Sequence, residues 1–283
     1  MSLAPMKDMM VEARKKGYAI GAFEFWSLDS AYAIVRAAEE LNTPVILQSG
    51  CYEGAFAGGY DKLAVLGKIA AESVKVPVAL HLDHGATLDE VKLCLDAGYT
   101  SVMLDASSKP LEENIRLTQQ VVAMAHPLGV TVEAELGVLD GAEAGVTIDE
   151  AMGLQTDPDE AAYFVEQTGV DVLAVSIGTS HGHYKFPPKI NIPRLMKIAD
   201  KVALPLVLHG GSGTPEDKMK EAIQHGIAKI NICTDFIAAY GKGFTAAQQA
   251  EGFRYNVPNL FVAAQSNGQA LVKHMLELFL NLR

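Results

Sequence analysis

Long apolar runs are missing from this chain of 283 residues. No run approaches the roughly 20 residues that cross a bilayer, although hydrophobic residues make up 49% of the sequence, enough for a large core. The N-terminal segment MSLAPMKDMM also lacks the apolar stretch and cleavage site of a secretory signal. We therefore predict a cytoplasmic protein without a membrane partner.

Basic residues are in deficit as well, and the formal net charge is -11. This charge argues against a nucleic-acid partner, because binding to phosphate backbones needs a basic stripe. A small anionic ligand remains compatible, since backbone amides and one or two cations can hold it. Cysteine is also scarce: Cys51, Cys94 and Cys233 are odd in number and far apart, which disfavours a disulfide framework.

Short apolar runs alternate with amphipathic stretches along the chain. The runs are continuous, as expected for strands buried on both faces of a parallel sheet. They predict strands over Tyr18–Phe23, Val45–Gln48, Val78–Leu82, Ser101–Leu104, Thr131–Ala134, Val172–Ile177, Leu206–Leu208 and Ile230–Cys233. Helical patterns between them cover Leu28–Leu41, Leu88–Ala97, Glu112–His126, Pro158–Thr168 and Pro215–His225.

Repeated strand–helix alternation favours an α/β fold in which the parallel sheet closes. We predict a (β/α)8 TIM barrel that forms a single domain over residues 1–283. A helical C-terminal tail is expected over about residues 236–283, with breaks near Gly252 and Pro258.

Polar residues follow most of the predicted strands, at the end of the barrel where active sites are built. Three of them, His84, His181 and His209, each precede a glycine. Three imidazoles that leave one position open are typical of a catalytic zinc site. His81 is expected on the opposite side of its strand. Asp105 and Glu135 are candidates for a second metal position, or for ordinary caps and ion pairs.

Glycine-rich and polar segments follow predicted strands 7 and 8. Loops at these positions commonly bind phosphate, because glycine amides and helix N-termini favour anions. Lys185, four residues after His181, can add a positive charge. The predicted substrate-binding residues in the two loops are Gly210, Gly211, Ser212, Asn231, Ile232, Cys233 and Thr234.

Five motifs occur in one order: HLDHG, VEAELG, GTSHG-x-YK, VLHGGSG and KINI-x-TD. Together, from about Tyr18 to Asp235, they resemble the class II fructose-bisphosphate and tagatose-bisphosphate aldolase family. The resemblance implies a metal-dependent aldehyde-lyase that cleaves a ketose 1-phosphate or ketose 1,6-bisphosphate, reversibly, to dihydroxyacetone phosphate and an aldehyde. It also implies one catalytic zinc, a monovalent cation near Gly182 and Gly210, and a homodimer or homotetramer.

The same resemblance implies roles for individual residues. Asp83 is expected to exchange the proton of the C4 hydroxyl, and Glu143 to move the proton of the dihydroxyacetone-phosphate carbon. Gly182 joins the loops after strands 7 and 8 in holding the phosphate, and Asp105 and Glu135 match an alternative metal site. The zinc ligands would be His84, His181 and His209.

Glu24 departs from the family pattern, which usually has asparagine there. A carboxylate at a few ångströms from a second phosphate costs about 1–4 kcal/mol. We therefore predict an aldehyde half that carries no phosphate, or a polyol that donates hydroxyls to Glu24, with Ser49, Trp26 and Glu53 nearby. If Glu24 instead pairs with Arg254 or another cation, bisphosphate specificity stays open.

Other functions are compatible with parts of this pattern. A metal-dependent epimerase or isomerase of a sugar phosphate would use the same zinc and phosphate loops. A non-catalytic phosphosugar-binding subunit is disfavoured, because Asp83 and Glu143 are both present. A lysine-dependent aldolase is disfavoured because Lys229 lies at the N-terminal end of predicted strand 8. The loop Gly137–Gly153 is predicted to close over the substrate.

Overall fold

The computed structural model describes residues 3–139, 154–182, 188–250 and 256–282. Its strands form a closed parallel barrel in chain order, with the first strand paired to the last. This confirms the predicted TIM barrel. The strands are β1 (Ile20–Glu24), β2 (Val45–Ser49), β3 (Val78–Gly85), β4 (Ser101–Leu104), β5 (Thr131–Leu136), β6 (Val172–Val175), β7 (Leu206–Leu208) and β8 (Ile227–Ile232).

Helices surround the barrel and also close its N-terminal end. Those in the described ranges are α1 (Met6–Lys16), α2 (Leu28–Glu40), α3 (Cys51–Ala57), α4 (Tyr60–Glu72), α5 (Leu88–Ala97), α6 (Leu111–Ala125), α7 (Pro158–Thr168), α8 (Ile192–Lys201), α9 (Glu216–Gln224), α10 (Thr234–Gln249) and α11 (Val257–Phe279).

Local signals explain where several helices begin and end. The hydroxyl of Ser27 accepts a hydrogen bond from the Ser30 backbone amide and caps α2, and Thr87 caps α5 in the same way. Such caps satisfy amides that have no partner within the helix. Helix α5 ends at Gly98, which has a φ of 87°, a conformation that glycine adopts without strain.

Two predicted boundaries differ from the structure for identifiable reasons. Strand β8 begins at Ile227 rather than at Ile230, because the charged Lys229 interrupts the apolar run yet lies fully buried in the barrel. In the tail, α10 ends at Gln249 and α11 begins at Val257, so the break lies just before Pro258, which stands in the first turn of α11, where a proline costs no hydrogen bond. Gly252 lies outside the described residues.

The interior of the barrel changes from apolar to polar along its axis. At the N-terminal end, α1 inserts Met6, Met9 and Met10 among inward-facing strand residues such as Ile20 and Ile46. Higher in the barrel, the buried residues are polar or charged, and they include Gln48, His81, Asp83, Glu133, Glu135, His209, Lys229 and Asn231. The polar and charged side chains of the barrel interior therefore lie toward its C-terminal mouth.

The tail helices pack on one side of the barrel, where α11 contacts α10 and α2. Within the described ranges, the chain has no helix with the length and apolarity needed to cross a bilayer.

Candidate active site

A cavity of about 470 Å³ opens at the C-terminal mouth of the barrel. Its walls come from the ends of several strands and from the loops that follow them. Most of the predicted site residues in the described ranges lie in this wall: Glu24, Asp83, His84, Asp105, Glu135, His181, Gly182, Gly210, Ser212, Asn231, Cys233 and Thr234.

The end of β3 delivers two adjacent side chains to this cavity. Regular strand alternation would point Asp83 and His84 to opposite faces of the sheet. The pairing of β3 with β4 shifts register between Leu82 and Gly85, and His84 has a φ of 46°. This irregularity turns both side chains toward the mouth, and strain of this kind is common at functional sites.

Three imidazoles converge beside Asp83. The ring centroid of His84 lies 4.9 Å from that of His181 and 4.6 Å from that of His209. Each ring can offer one nitrogen so that all three nitrogens lie within 4.8 Å of one another. Burial, together with the neighbouring His84 and His209, lowers the pKa of His181 to about 3. A neutral imidazole is the form that ligates a metal, and the closeness of the three nitrogens fits a zinc ion.

Two buried carboxylates flank His209, and of these contacts only the one with Glu133 is a hydrogen bond. Its Nε2 lies 2.9 Å from Glu133, and its Nδ1 lies 2.9 Å from Glu135. Burial opposes protonation, but these two contacts raise the pKa of His209 to about 9. Carboxylates that orient a histidine in this way are frequent around metal sites.

Asp105 and Glu135 form a second group with His84 whose ligand atoms also lie within 4.8 Å of one another. The Nδ1 of His84 lies 2.8 Å from Asp105 Oδ2. Burial and the neighbouring Asp105 raise the pKa of Glu135. The geometry therefore suits both predicted interpretations, a second metal position and an ion pair that orients His84.

His81 corrects the sequence analysis. Its ring points into the barrel, with Nδ1 2.8 Å from Ser101 Oγ and Nε2 3.6 Å from Asp83. It shares the inward face with Asp83 because the two residues are two positions apart on β3. His81, Asp83 and Glu133 form a third group of adjacent ligand atoms that the sequence analysis missed.

Amide side chains hold Asp83 from two sides. Asn231 Nδ2 donates to both carboxylate oxygens, at 3.1 and 3.2 Å, and Gln48 Nε2 donates to Oδ2 at 3.2 Å. Burial alone would favour the neutral acid, but the adjacent His84 and His81 hold the pKa of Asp83 well below its usual range. Asp83 is therefore an oriented carboxylate that can accept a proton.

The predicted phosphate end is built from the loops after β6, β7 and β8. Gly210 has a φ of 67°, and a side chain there would collide with the carbonyl oxygen of Ser180. The loop after β7 is tied to α10, because Asp235 accepts from the Gly213 amide and its own amide donates to Ser212 Oγ. The N-terminus of α10 therefore faces the same part of the cavity.

Two predicted phosphate residues do not face the cavity. The amide of Gly211 donates to the carbonyl oxygen of Asn231 at 3.1 Å, so it is already in use. The side chain of Ile232 is fully buried in the core between the barrel and the helices. Strand alternation explains the second case, since the neighbouring Asn231 faces the barrel interior.

At the end of β1, Glu24 is only 5% exposed and accepts hydrogen bonds from Gln48 and from the Gly50 amide. Ser49 corrects the prediction for this part of the site. Its hydroxyl lies 3.0 Å from the Tyr99 hydroxyl, on the side of β2 that faces the helices, so the inward residue is Gln48. Trp26 packs on Phe236 and Tyr240 and not in the cavity wall.

Three residues with predicted roles in substrate binding, proton transfer or ion pairing lie outside the described ranges, namely Glu143, Lys185 and Arg254. Most of the predicted closing loop, residues 140–153, also lies outside them.

The sequence analysis missed two charged partners inside the barrel. Lys229 Nζ lies 3.0 and 2.8 Å from the two oxygens of Glu133, which also contacts His209. The period of two along β5 carries the signal for Glu133, since Thr131, Glu133 and Glu135 share one face. Lys229 is engaged in this ion pair below the cavity and does not line it.

Comparisons with known proteins agree with this geometry. The sequence matches the family described as "Fructose-bisphosphate aldolase class-II" over residues 4–281. Fructose-bisphosphate aldolase of Geobacillus stearothermophilus is 45% identical over 246 residues, which cover 86% of this chain and 84% of that protein. The enzyme of Staphylococcus epidermidis is 43% identical and covers 83% and 82% of the two chains.

Solved structures show the same fold. The YdjI aldolase of Escherichia coli K12 superposes with a TM-score of 0.86 at 36% identity, covering 98% of this chain and 97% of that chain. A structure described as a putative fructose-1,6-biphosphate aldolase of Coccidioides immitis gives a TM-score of 0.86 at 28% identity. The chain therefore belongs to the class II fructose-bisphosphate aldolase family, a family of metal-dependent aldehyde-lyases.

Proposed function

We propose that this chain is a zinc-dependent aldolase that reversibly cleaves a ketose 1-phosphate or ketose 1,6-bisphosphate to dihydroxyacetone phosphate and an aldehyde. One observation carries the proposal: His84, His181 and His209 offer ligand atoms within 4.8 Å of one another, beside the oriented carboxylate of Asp83. Family membership supports a small phosphorylated sugar as the substrate.

Different residues of the cavity would bind the metal and the phosphate group of the substrate. His84, His181 and His209 would hold the metal, with Asp105 and Glu135 available for a second position. When bound, zinc supplies a Lewis acid for the charge that develops on the carbonyl oxygen of the substrate. The phosphate would bind at Gly182, Gly210, Ser212, Cys233 and Thr234, with Lys185 and a monovalent cation adding positive charge.

Asp83 would act on the aldehyde half of the substrate. Its carboxylate accepts the proton of the C4 hydroxyl while the C3–C4 bond breaks and the C4 carbonyl forms. The electron pair of that bond stays with the dihydroxyacetone-phosphate half, whose carbon then takes a proton from Glu143. Asn231 and Gln48 keep the Asp83 carboxylate aimed, as general-base catalysis requires.

We also propose where the enzyme is located and how its subunits assemble. Cys51, Cys94 and Cys233 form no disulfide with one another in the structure, which supports a cytoplasmic location. We further propose a homodimer or homotetramer, as the sequence resemblance implies.

The test is release of dihydroxyacetone phosphate from a panel of ketose 1-phosphates and ketose 1,6-bisphosphates, detected by a coupled dehydrogenase. We expect release from at least one sugar, and loss of that release in a chelator. Conversion of a sugar phosphate to an isomer without any triose product would replace the aldolase with the isomerase alternative.

A further inference from the structure

One polar part of the cavity wall lies at the ends of β1 and β2 and at the start of α3. It consists of Glu24, Gln48 and Glu53, and we call it the acidic end. All three line the cavity, and they are 5%, 0% and 7% exposed. The Gly50 amide donates to Glu24 Oε1 and to Glu53 Oε2, at 3.0 Å each. One hydrogen thus bridges two carboxyl groups and holds them side by side.

The amide oxygen of Gln48 has no hydrogen-bond partner among the described residues. Its Nε2 donates to Glu24 Oε2 at 3.0 Å and to Asp83 Oδ2 at 3.2 Å. Because two carboxylates accept from it, this atom must be the amide nitrogen. The buried Oε1 accepts no hydrogen bond from any described residue. A buried acceptor of this kind calls for a donor, and a hydroxyl group of a bound substrate would supply one.

The charge of this region opposes a phosphate. The described residues that line the cavity include Asp83, Asp105 and Glu135 besides the acidic end, and they include no lysine or arginine. Burial raises the pKa of Glu24 well above its usual range, and the adjacent Glu53 and Asp83 add to this effect. The protonated form of Glu24 offers one donor beside the acceptor oxygens of Gln48 and Asp83, which is the pattern that a hydroxyl group matches.

We propose that the acidic end binds the aldehyde half of the substrate through its hydroxyl groups, so that the enzyme prefers ketose 1-phosphates that carry no second phosphate. The substrate hydroxyls donate to Gln48 Oε1 and exchange hydrogen bonds with Glu24 and Glu53. This inference rests on the proposed aldolase function and names the substrate class for the same site.

The test compares matched sugars on the zinc-loaded full chain. Kinetics of fructose 1-phosphate against fructose 1,6-bisphosphate, and of tagatose 1-phosphate against tagatose 1,6-bisphosphate, give a ratio of kcat/KM for each pair. We expect the monophosphate to be preferred by about tenfold or more, which corresponds to about 1.4 kcal/mol. Most of the difference is expected in KM, because the repulsion acts when the sugar binds.

Variants with an amide in place of a carboxyl group test whether these residues cause the preference. Glu24→Gln and Glu53→Gln each keep the size of the side chain, and both are expected to reduce the preference by about fivefold or more, mainly through a lower KM for the bisphosphate. Glu72→Gln is the matched control, since Glu72 is exposed on α4 and does not line the cavity. It should leave the ratio unchanged.

The outcomes separate this inference from the proposed function. Release of triose phosphate with a preference for the bisphosphates confirms the aldolase and overturns the acidic-end proposal. A monophosphate preference that survives both variants also overturns it. If neither class of sugar releases triose phosphate, the proposed function fails first.

Discussion

Asp83 is the side chain on which the proposed proton transfer depends. We predict that Asp83→Asn lowers kcat/KM for cleavage by about 100- to 10,000-fold, because an amide cannot accept the hydroxyl proton. The zinc content should stay close to that of the wild type, since the three imidazoles remain. Steady-state kinetics and elemental analysis of the same preparation check both points.

The matched control is Asp96→Asn, which removes a carboxylate from the exposed face of α5. It should cleave at the wild-type rate. An Asp83→Asn variant within threefold of the wild type would show that another group takes the proton.

Glu133 binds two partners in the barrel, Lys229 and His209. Glu133→Gln leaves the buried ammonium of Lys229 without a counter-charge, which typically costs about 3–5 kcal/mol. We expect the free energy of unfolding of the metal-free protein to fall by that amount in urea denaturation. The double variant Glu133→Gln with Lys229→Met should recover most of the loss, and a single-variant loss below about 1 kcal/mol would contradict the assigned ion pair.

The structure brings together the predicted residues whose motifs combined several signals. His84, His181 and His209 each follow a predicted strand and precede a glycine, and the structure brings them together. Ser49, Ile232 and Gly211 failed because strand alternation and loop hydrogen bonds decide which groups face inward. Glu133 and Lys229 were missed because a charged pair inside a barrel resembles two unrelated surface residues until the strands are aligned.

At the scale of elements, the loop after β7 shows how glycine fixes the site. Gly210→Ala meets two costs, a φ of 67° and a collision with the Ser180 carbonyl. Gly98→Ala in the αL cap of α5 meets only the first, because nothing lies within 4 Å of its added carbon. We predict a loss of about 1 kcal/mol for Gly98→Ala and about 1–3 kcal/mol more for Gly210→Ala.

Urea denaturation of both variants measures this difference. Gly210→Ala should also raise KM, since the loop lines the cavity at the proposed phosphate site, whereas Gly98→Ala should not. Equal losses of stability in the two variants would show that the contact with Ser180 does not constrain the loop.

Helices and strands could be predicted from the sequence where they depend on short apolar patterns along the chain. The eight strands and the helix caps at Ser27 and Thr87 follow from short patterns. The bulge at the end of β3 does not, because the shift in its pairing with β4 depends on residues far apart in the chain. That bulge is what presents Asp83 and His84 together.

In the whole molecule, one end of the barrel is apolar and stabilises the fold, and the other end is polar and carries the candidate active site. Helix α1 and the apolar residues around it close one end, and the polar layers above them lead to the cavity at the other. Alternation of strands and helices was enough to predict this architecture, and the C-terminal ends of the strands were enough to locate the site. The sequence also indicated the loops after strands 7 and 8 and the carboxylate of Glu24, but the contacts of Glu24 with Gln48 and the Gly50 amide required the three-dimensional arrangement.

A zinc titration of protein stripped with a chelator tests most directly whether the enzyme is a zinc-dependent aldolase. Triose phosphate release from the preferred ketose phosphate is measured after each addition, together with bound zinc. We predict that the stripped protein releases no triose phosphate. Release should rise with added zinc and level off at about one equivalent per chain, as expected for a single three-histidine site. Full activity in the stripped protein, or none after stoichiometric zinc has bound, would contradict it.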